Sequence, residues 1–258
     1  MDLGLKGKTA LVLGGSSGLG AAVATALSRE GANVAVASRD KDKLAKTIAT
    51  FAGEGLALQW DLADLSVIDA NVAAVEKKFG QVDILVNNTG GPPPTAAAGA
   101  DIDVWRKQMD AMVLSLIATT DRVLPGMRAR KWGRIITSTS SGIVAPIPNL
   151  AISNALRLAL VGWSKTLARE VAADGITCNI VLPGRISTER LGVLDSAKAK
   201  REGKTVEEVA KASLATIPAG RFGEPDEYGD VVAFLASTRA AYITGSTIRV
   251  DGGLIASI

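Results

Sequence analysis

Apolar residues along the chain fall into two alternating patterns. Short, almost uncharged runs occur at Thr9–Leu13, Asn33–Ala37, Leu56–Gln59, Asp83–Val86, Arg134–Thr137, Ile176–Leu182 and Ser246–Val250. Between them lie longer stretches, such as Leu44–Phe51 and Val67–Phe79, with apolar residues at i, i+3, i+4 and i+7, the one-sided stripe of a helix. A strand with one wet face alternates, whereas a strand covered on both faces reads as a continuous apolar run. The runs therefore predict seven buried strands, and their alternation with helices predicts right-handed βαβ units. The expected fold is α/β, a single domain over residues 1–258 built on a doubly wound sheet of mostly parallel strands with helices on both faces. Two stretches break the rhythm. Gly90–Ala100 carries Pro92–Pro94 and reads as a stiff loop after the fourth strand. Ser187–Ile217 is long, charged and irregular, and its place before the last strand suits a lid over a substrate.

Composition narrows the chemistry. The chain of 258 residues has 29 basic and 26 acidic side chains, a net +3 that is too small an excess for a dedicated nucleic-acid binder. It has no histidine, which excludes Ser-His-Asp and Cys-His catalysis and every histidine-ligated metal site. A single cysteine, Cys178, excludes an intramolecular disulfide and a thiolate cluster. Lys6 and Lys8 interrupt the N-terminal apolar run, and no stretch is apolar for the eighteen or so residues of a membrane span. These features predict a cytoplasmic protein with neither a membrane nor a nucleic acid as partner.

The segment LVLGGSSGLG joins the first strand to a helix that begins near Gly18. Gly14, Gly18 and Gly20 permit a tight turn and close approach of backbone to a ligand, and the helix N-terminus presents free N–H groups to a pyrophosphate. Ser16 and Ser17 add hydroxyl donors, and Leu19 lies between the last two glycines. This is a Rossmann-like dinucleotide site. The second strand ends in Ala37-Ser38-Arg39, where a carboxylate would have favoured the ribose hydroxyl of NAD(H). Ser38 and the Arg39 guanidinium instead suit a 2′-phosphate, so NADP(H) is the expected cofactor and NAD(H) the less favoured one, with Asp40 next door opposing that preference.

Taken together, the motifs resemble those of the short-chain dehydrogenase/reductase family over essentially the whole chain. Gly14-x3-Gly18-x-Gly20 matches the cofactor loop, and Asp61-Leu62 matches the pair that holds the adenine. Asn87-Asn88-Thr89-Gly90 resembles the family's Asn-Asn-Ala-Gly. Pro183-Gly184-Arg185-Ile186-Ser187-Thr188 matches the segment whose Ile and Thr positions hold the nicotinamide carboxamide. Ile217–Arg221 and Val250–Gly253 complete the series, and GWSKTLAREVAADGIT is most similar to 3-oxoacyl-carrier-protein reductases.

The resemblance fails where the family does its chemistry. Members use Asn, Ser, Tyr and Lys, with Tyr-x3-Lys on one helical face so that the lysine lowers the phenol pKa. Register from Gly133–Ile136 and Gly162–Lys165 places the serine at Ser140, the tyrosine at Ser153, the lysine at Arg157 and the asparagine at Met112. Tyr228 and Tyr242 lie in C-terminal segments that the family uses for packing. Three readings follow: an NADP(H)-dependent carbonyl or activated-alkene reductase with Ser140, Ser153 and Arg157 as its catalytic set, an NADP(H)-binding protein without turnover, and a lyase or epimerase that uses the cofactor structurally. Replacement by another hydroxyl and another cation resembles retuning rather than decay.

The resemblance also implies a small-molecule substrate and a homotetramer or dimer, for which the widely apolar helix Ile152–Val171 is the indirect sign. Arg128, Arg130, Lys131 and Arg134 read as cations complementing the C-terminus of a long helix, with an acyl-carrier protein as the alternative partner. Lys198, Lys200, Arg201 and Lys204 read as the solvated face of the lid.

Overall fold

The computed structural model describes residues 1–258. Seven parallel strands form one sheet: β1 Thr9–Leu13, β2 Asn33–Ser38, β3 Gly55–Gln59, β4 Ile84–Asn87, β5 Gly133–Ser138, β6 Ile176–Pro183 and β7 Thr247–Val250. Each agrees within two residues with an apolar run in the sequence. The order β3-β2-β1-β4-β5-β6-β7 reverses between β1 and β4, where Val12 sits between Val36 of β2 and Val86 of β4. In an open parallel sheet that reversal leaves a crevice beyond the carboxyl ends of the two strands, because the chain departs from them in opposite directions.

Both faces are covered, as the continuous apolar runs require. Helices α1 (Gly18–Arg29), α2 (Lys41–Ile48) and α9 (Pro225–Ala236) close one side around Val23, Leu27, Leu44 and Val232. Helices α3 (Ile68–Phe79), α4 (Ile102–Met109), α5 (Ser115–Arg130) and α6 (Ala151–Val171) lie on the other, with Val72, Leu116, Leu156 and Leu160 buried there. A π-helical turn at Asp110–Leu114 joins α4 to α5 and turns Met112 wholly into this core. Each such fully buried aliphatic side chain contributes roughly 1.5–3 kcal/mol.

Two expectations need correction. The stretch 187–217 is helical for most of its length, as α7 (Glu189–Glu202) and α8 (Val206–Leu214). Helix α8 begins with a reciprocal cap, in which the Glu208 N–H donates to Thr205 Oγ1 at 3.1 Å and the Thr205 N–H donates to Glu208 Oε2 at 2.8 Å. Thr-x-x-Glu is the sequence signature of that cap. Arg134 is no helix-end cation. It is buried on β5, donates to the carbonyls of Gly133, Gly175 and Ser237, and stacks on Trp132. Arg128 and Lys131 pair with Asp174, and Arg130 with Asp83, so this cluster is tied into the protein.

Candidate active site

The crevice at the carboxyl ends of β1, β4, β5 and β6 is a cleft of about 650 Å³ roofed by α7 and α8. Its first wall is the glycine loop. Gly14 and Gly18 have φ of +60° and +53°, in the region that disfavours side chains. A Cβ on Gly20 would stand 2.1 Å from the Gly14 carbonyl oxygen, so only glycine lets α1 start this close to β1. Beyond Gly18 the space is open as far as Thr188, 3.6 Å from where a Cβ would be. Ser17 is the N-cap of α1, yet its side chain makes no capping bond and remains available. Asn88 fixes the loop from the β4 side, donating from Nδ2 to the carbonyls of Leu13 and Gly14, both at 3.2 Å. These are the features of a pyrophosphate cradle: open N–H groups, a free hydroxyl and the positive end of a helix.

At the outer end, Ser16 Oγ donates to Ser38 Oγ at 2.7 Å. Arg39 is exposed and forms no ion pair. Asp40 does not oppose it, because its carboxylate caps α2, accepting the N–H groups of Asp42 and Lys43 at 3.0 Å each. Asp61 is exposed and Leu62 half-buried, farther along the same edge and outside the cleft wall. Across the groove, Lys43 Nζ meets Glu189 at 3.2 Å, which links α2 to the first turn of α7.

The inner end holds the remaining predicted residues. Thr89, Gly90, Ser140, Ser153, Arg157, Pro183, Gly184, Ile186 and Thr188 all face the cleft. Arg157 is buried and spans the ends of two strands, donating from Nη1 to the Ser138 carbonyl at 3.1 Å and from Nη2 to the Thr89 carbonyl at 3.2 Å. Burial pushes its pKa down to about 10, and nearby Arg190 pushes in the same direction, so the group remains a cation near neutrality. Ser153, one helical turn before it, has no hydrogen-bond partner in the protein. Ser140 Oγ accepts the Gly142 N–H at 3.1 Å and keeps its own proton free to donate. The Thr89 hydroxyl is buried without a partner. Met112, by contrast, is packed in the core beneath and takes no part in the cleft.

Three residues that the sequence did not assign to the site belong to it. Arg190, on the first turn of α7, crosses the cleft to donate to the Pro92 carbonyl at 2.7 Å. Nothing in a single sequence separates it from the neighbouring Arg185, which pairs instead with buried Asp195. Tyr228 lies wholly buried behind β5, its O–H donating to Ser138 Oγ at 2.8 Å. Its spacing with Val232 and Leu235 reads as core, as the sequence suggested, yet the phenol tip reaches the back of the site. Burial raises its pKa, so it stays protonated. Lys198 is half-buried and faces the cleft, not the solvated surface expected of it.

Glycine loop, helix dipole and strand-end crevice together define a dinucleotide-binding α/β protein. Comparisons with known proteins narrow the class. A family model described as enoyl-(acyl carrier protein) reductase matches residues 14–255. The chain is 36% identical over 255 residues to the 3-oxoacyl-[acyl-carrier-protein] reductase of Vibrio cholerae, covering 98% of this chain and 99% of that protein. It superposes on the L-sorbose reductase of Gluconobacter frateurii, solved with NADPH and L-sorbose, with a TM-score of 0.93, 33% identity and full coverage of both chains. YwfH, an NADPH-dependent reductase involved in bacilysin biosynthesis, gives a TM-score of 0.92 at 27% identity over 97% of this chain and 99% of its own. The chain belongs to the short-chain dehydrogenase/reductase family.

Proposed function

We propose that the protein is an NADP(H)-dependent reductase of small carbonyl compounds or activated alkenes, working through Ser140, Ser153 and Arg157 in place of a tyrosine–lysine pair. The observation that carries this reading is the placing of Arg157. A decayed site would not hold a cation in so costly a position, at the junction of β4 and β5 beside an unpartnered serine. NADP(H) is supported by the exposed Arg39 beside Ser38, by the diversion of Asp40 to its helix cap, and by two similar proteins, one NADPH-dependent and one solved with NADPH bound. Gly14, Ser16, Ser17, Gly18, Leu19 and Gly20 would hold the phosphates. Asp61 and Leu62 would flank the adenine, and Asn88, Thr89, Gly90, Pro183, Gly184, Ile186 and Thr188 the nicotinamide half.

When bound, the nicotinamide supplies the hydride. The protein's part is to receive charge and deliver a proton. Arg157 stabilises negative charge growing on the substrate oxygen, and Ser140 donates a hydrogen bond to the same atom. Ser153 passes a proton to it from water, since a guanidinium that stays charged is a poor proton donor. Lack of a phenol acid with a lowered pKa is expected to slow turnover by about 10²- to 10⁴-fold, which favours substrates whose reduced form is already stabilised.

Exposed Leu114 and Leu158, at 40% and 53%, support assembly into a homodimer or tetramer through the α5–α6 side. An acyl-carrier protein gains little from Arg128, Arg130 and Lys131, which are each already paired within the protein, the first and last sharing Asp174 and Arg130 meeting Asp83. The test is NADPH consumption over a carbonyl and enone panel, comparing wild type with Ser153→Tyr/Arg157→Lys after both are shown to bind NADPH. Wild-type turnover abolished by Arg157→Ala supports the reading. Turnover in the double variant alone identifies a cofactor-binding protein without activity, and product with no NADPH consumed identifies a lyase or epimerase.

A further inference from the structure

Charge in the cleft is lopsided. Four cations face it, Arg157, Arg185, Arg190 and Lys198, against one carboxylate, Glu189. Arg185 is neutralised by buried Asp195, and Glu189 turns away to Lys43 on α2. Three cations remain without a carboxylate: Lys198 forms no ion pair, and Arg157 and Arg190 have carbonyl oxygens only, Ser138 and Thr89 for the first and Pro92 for the second. Two guanidinium groups near one another in a partly desolvated cleft repel, and an anion shared between them removes that repulsion.

The charges of an NADP(H) molecule have other partners. The pyrophosphate falls to the α1 N-terminus, to Ser17 and to Thr188 opposite Gly18. The 2′-phosphate falls to Ser38 and Arg39 at the far end of the groove. Arg190 instead reaches the loop after β4, where a Cβ on Gly91 would lie 2.9 Å from its Nη2, and it is near enough to Arg157 to help lower that group's pKa. Arg190 and Arg157 both donate to carbonyls of the loop after β4, at Pro92 and Thr89, and line one cleft with Ser153. Apolar side chains line the same cleft, among them Ile147, Leu150, Leu194 and Leu254. A planar fork among apolar walls suits an organic carboxylate better than a free inorganic anion.

We propose that Arg190, together with Arg157, forms a carboxylate-receiving subsite, so that the natural substrate is a small oxo acid or conjugated enoic acid ionised at neutral pH. The inference rests on the proposed reductase reading for its hydride chemistry, but the subsite itself can be tested without turnover.

The experiment has two arms, each on wild type, Arg190→Met and Arg190→Lys. In the first, NADP⁺-saturated protein is titrated calorimetrically with benzoylformate and, separately, with its uncharged methyl ester. In the second, the acid and the ester compete as substrates, and the NADPH dissociation constant is measured by fluorescence. The wild type is expected to bind the acid about 10- to 100-fold more tightly than the ester, the range for one charge-assisted pair. Arg190→Met should collapse that preference through KM, and Arg190→Lys should restore part of it. Equal loss of acid and ester binding, or an NADPH dissociation constant raised tenfold in Arg190→Met, would assign Arg190 to the cofactor and overturn the proposal. An acid-to-ester ratio near one in the wild type would overturn it outright. Acid-selective binding without any NADPH consumption would uphold the subsite while defeating the reductase reading.

Discussion

Tyr228 is the chief rival to the proposed proton route, because it is a phenol within one hydroxyl of the cleft. Replacing it by phenylalanine removes the 2.8 Å bond to Ser138 Oγ and a longer 3.4 Å contact with the Val181 carbonyl, and leaves the packed ring in place. Loss of one buried neutral hydrogen bond costs about 0.5–1.5 kcal/mol. Ser138 faces the cleft and can recruit water, so the cost should fall near 1 kcal/mol. Unfolding entropy for a chain of this length is roughly 0.5 kcal/mol/K, which converts that loss to a drop of about 2 °C in Tm. Catalytically, Ser138 loses a donor that orients its own hydroxyl, and kcat should fall by no more than about tenfold. The assay pairs a thermal melt with turnover on the best substrate of the panel. A Tm drop of about 2 °C with kcat within tenfold leaves Tyr228 as a polarising group behind Ser138. A kcat loss of about 10²- to 10⁴-fold is the signature of a deleted general acid and would refute the assignment to Ser153 and water.

Two more predictions follow from the same geometry. Arg39→Ala should weaken NADPH binding by about 10- to 100-fold and leave NADH binding within twofold, because only the 2′-phosphate meets that side chain; fluorescence titration with both cofactors checks it. The pH profile tests Arg157, whose pKa burial pushes down to about 10, well below the ordinary guanidinium range. For a cation with a lowered pKa, the destabilisation from burying charge is fully present below about pH 10 and is relieved as pH rises from there toward the ordinary guanidinium range. Activity runs the other way: kcat/KM should be flat through neutrality and fall above about pH 10 as the charge is lost, and an inflection between pH 6 and 8 would point to a different group.

Much of the architecture was legible in the chain because burial on both faces writes each strand as a continuous apolar run. The glycine loop was legible for a similar reason: the constraint at Gly20 is local, a clash with Gly14 six residues earlier. The helices of the lid were not, since α7 and α8 bury little and half of α7 is charged; the Thr205–Glu208 cap was a local signal for α8. Asp40 misled because a carboxylate beside Arg39 reads as competition, whereas its geometry commits it to the end of α2. Arg190 and Tyr228 belong to the site only through contacts with Pro92 and Ser138, residues 98 and 90 positions away. Periodicity carries no record of such meetings.

The bridge between Lys43 and Glu189 has a kinetic consequence. It joins the first turn of the lid helix α7 to α2, the helix that follows the Ser38–Arg39 end of β2. Both side chains are largely in water, and such a pair is worth about 0–1 kcal/mol, too little to trap anything. It nevertheless couples two elements, because α7 cannot move away from α2 without breaking the pair. So weak a pair sets no order of binding; it biases α7 toward α2, and that bias weakens, letting the lid open more readily, as ionic strength rises.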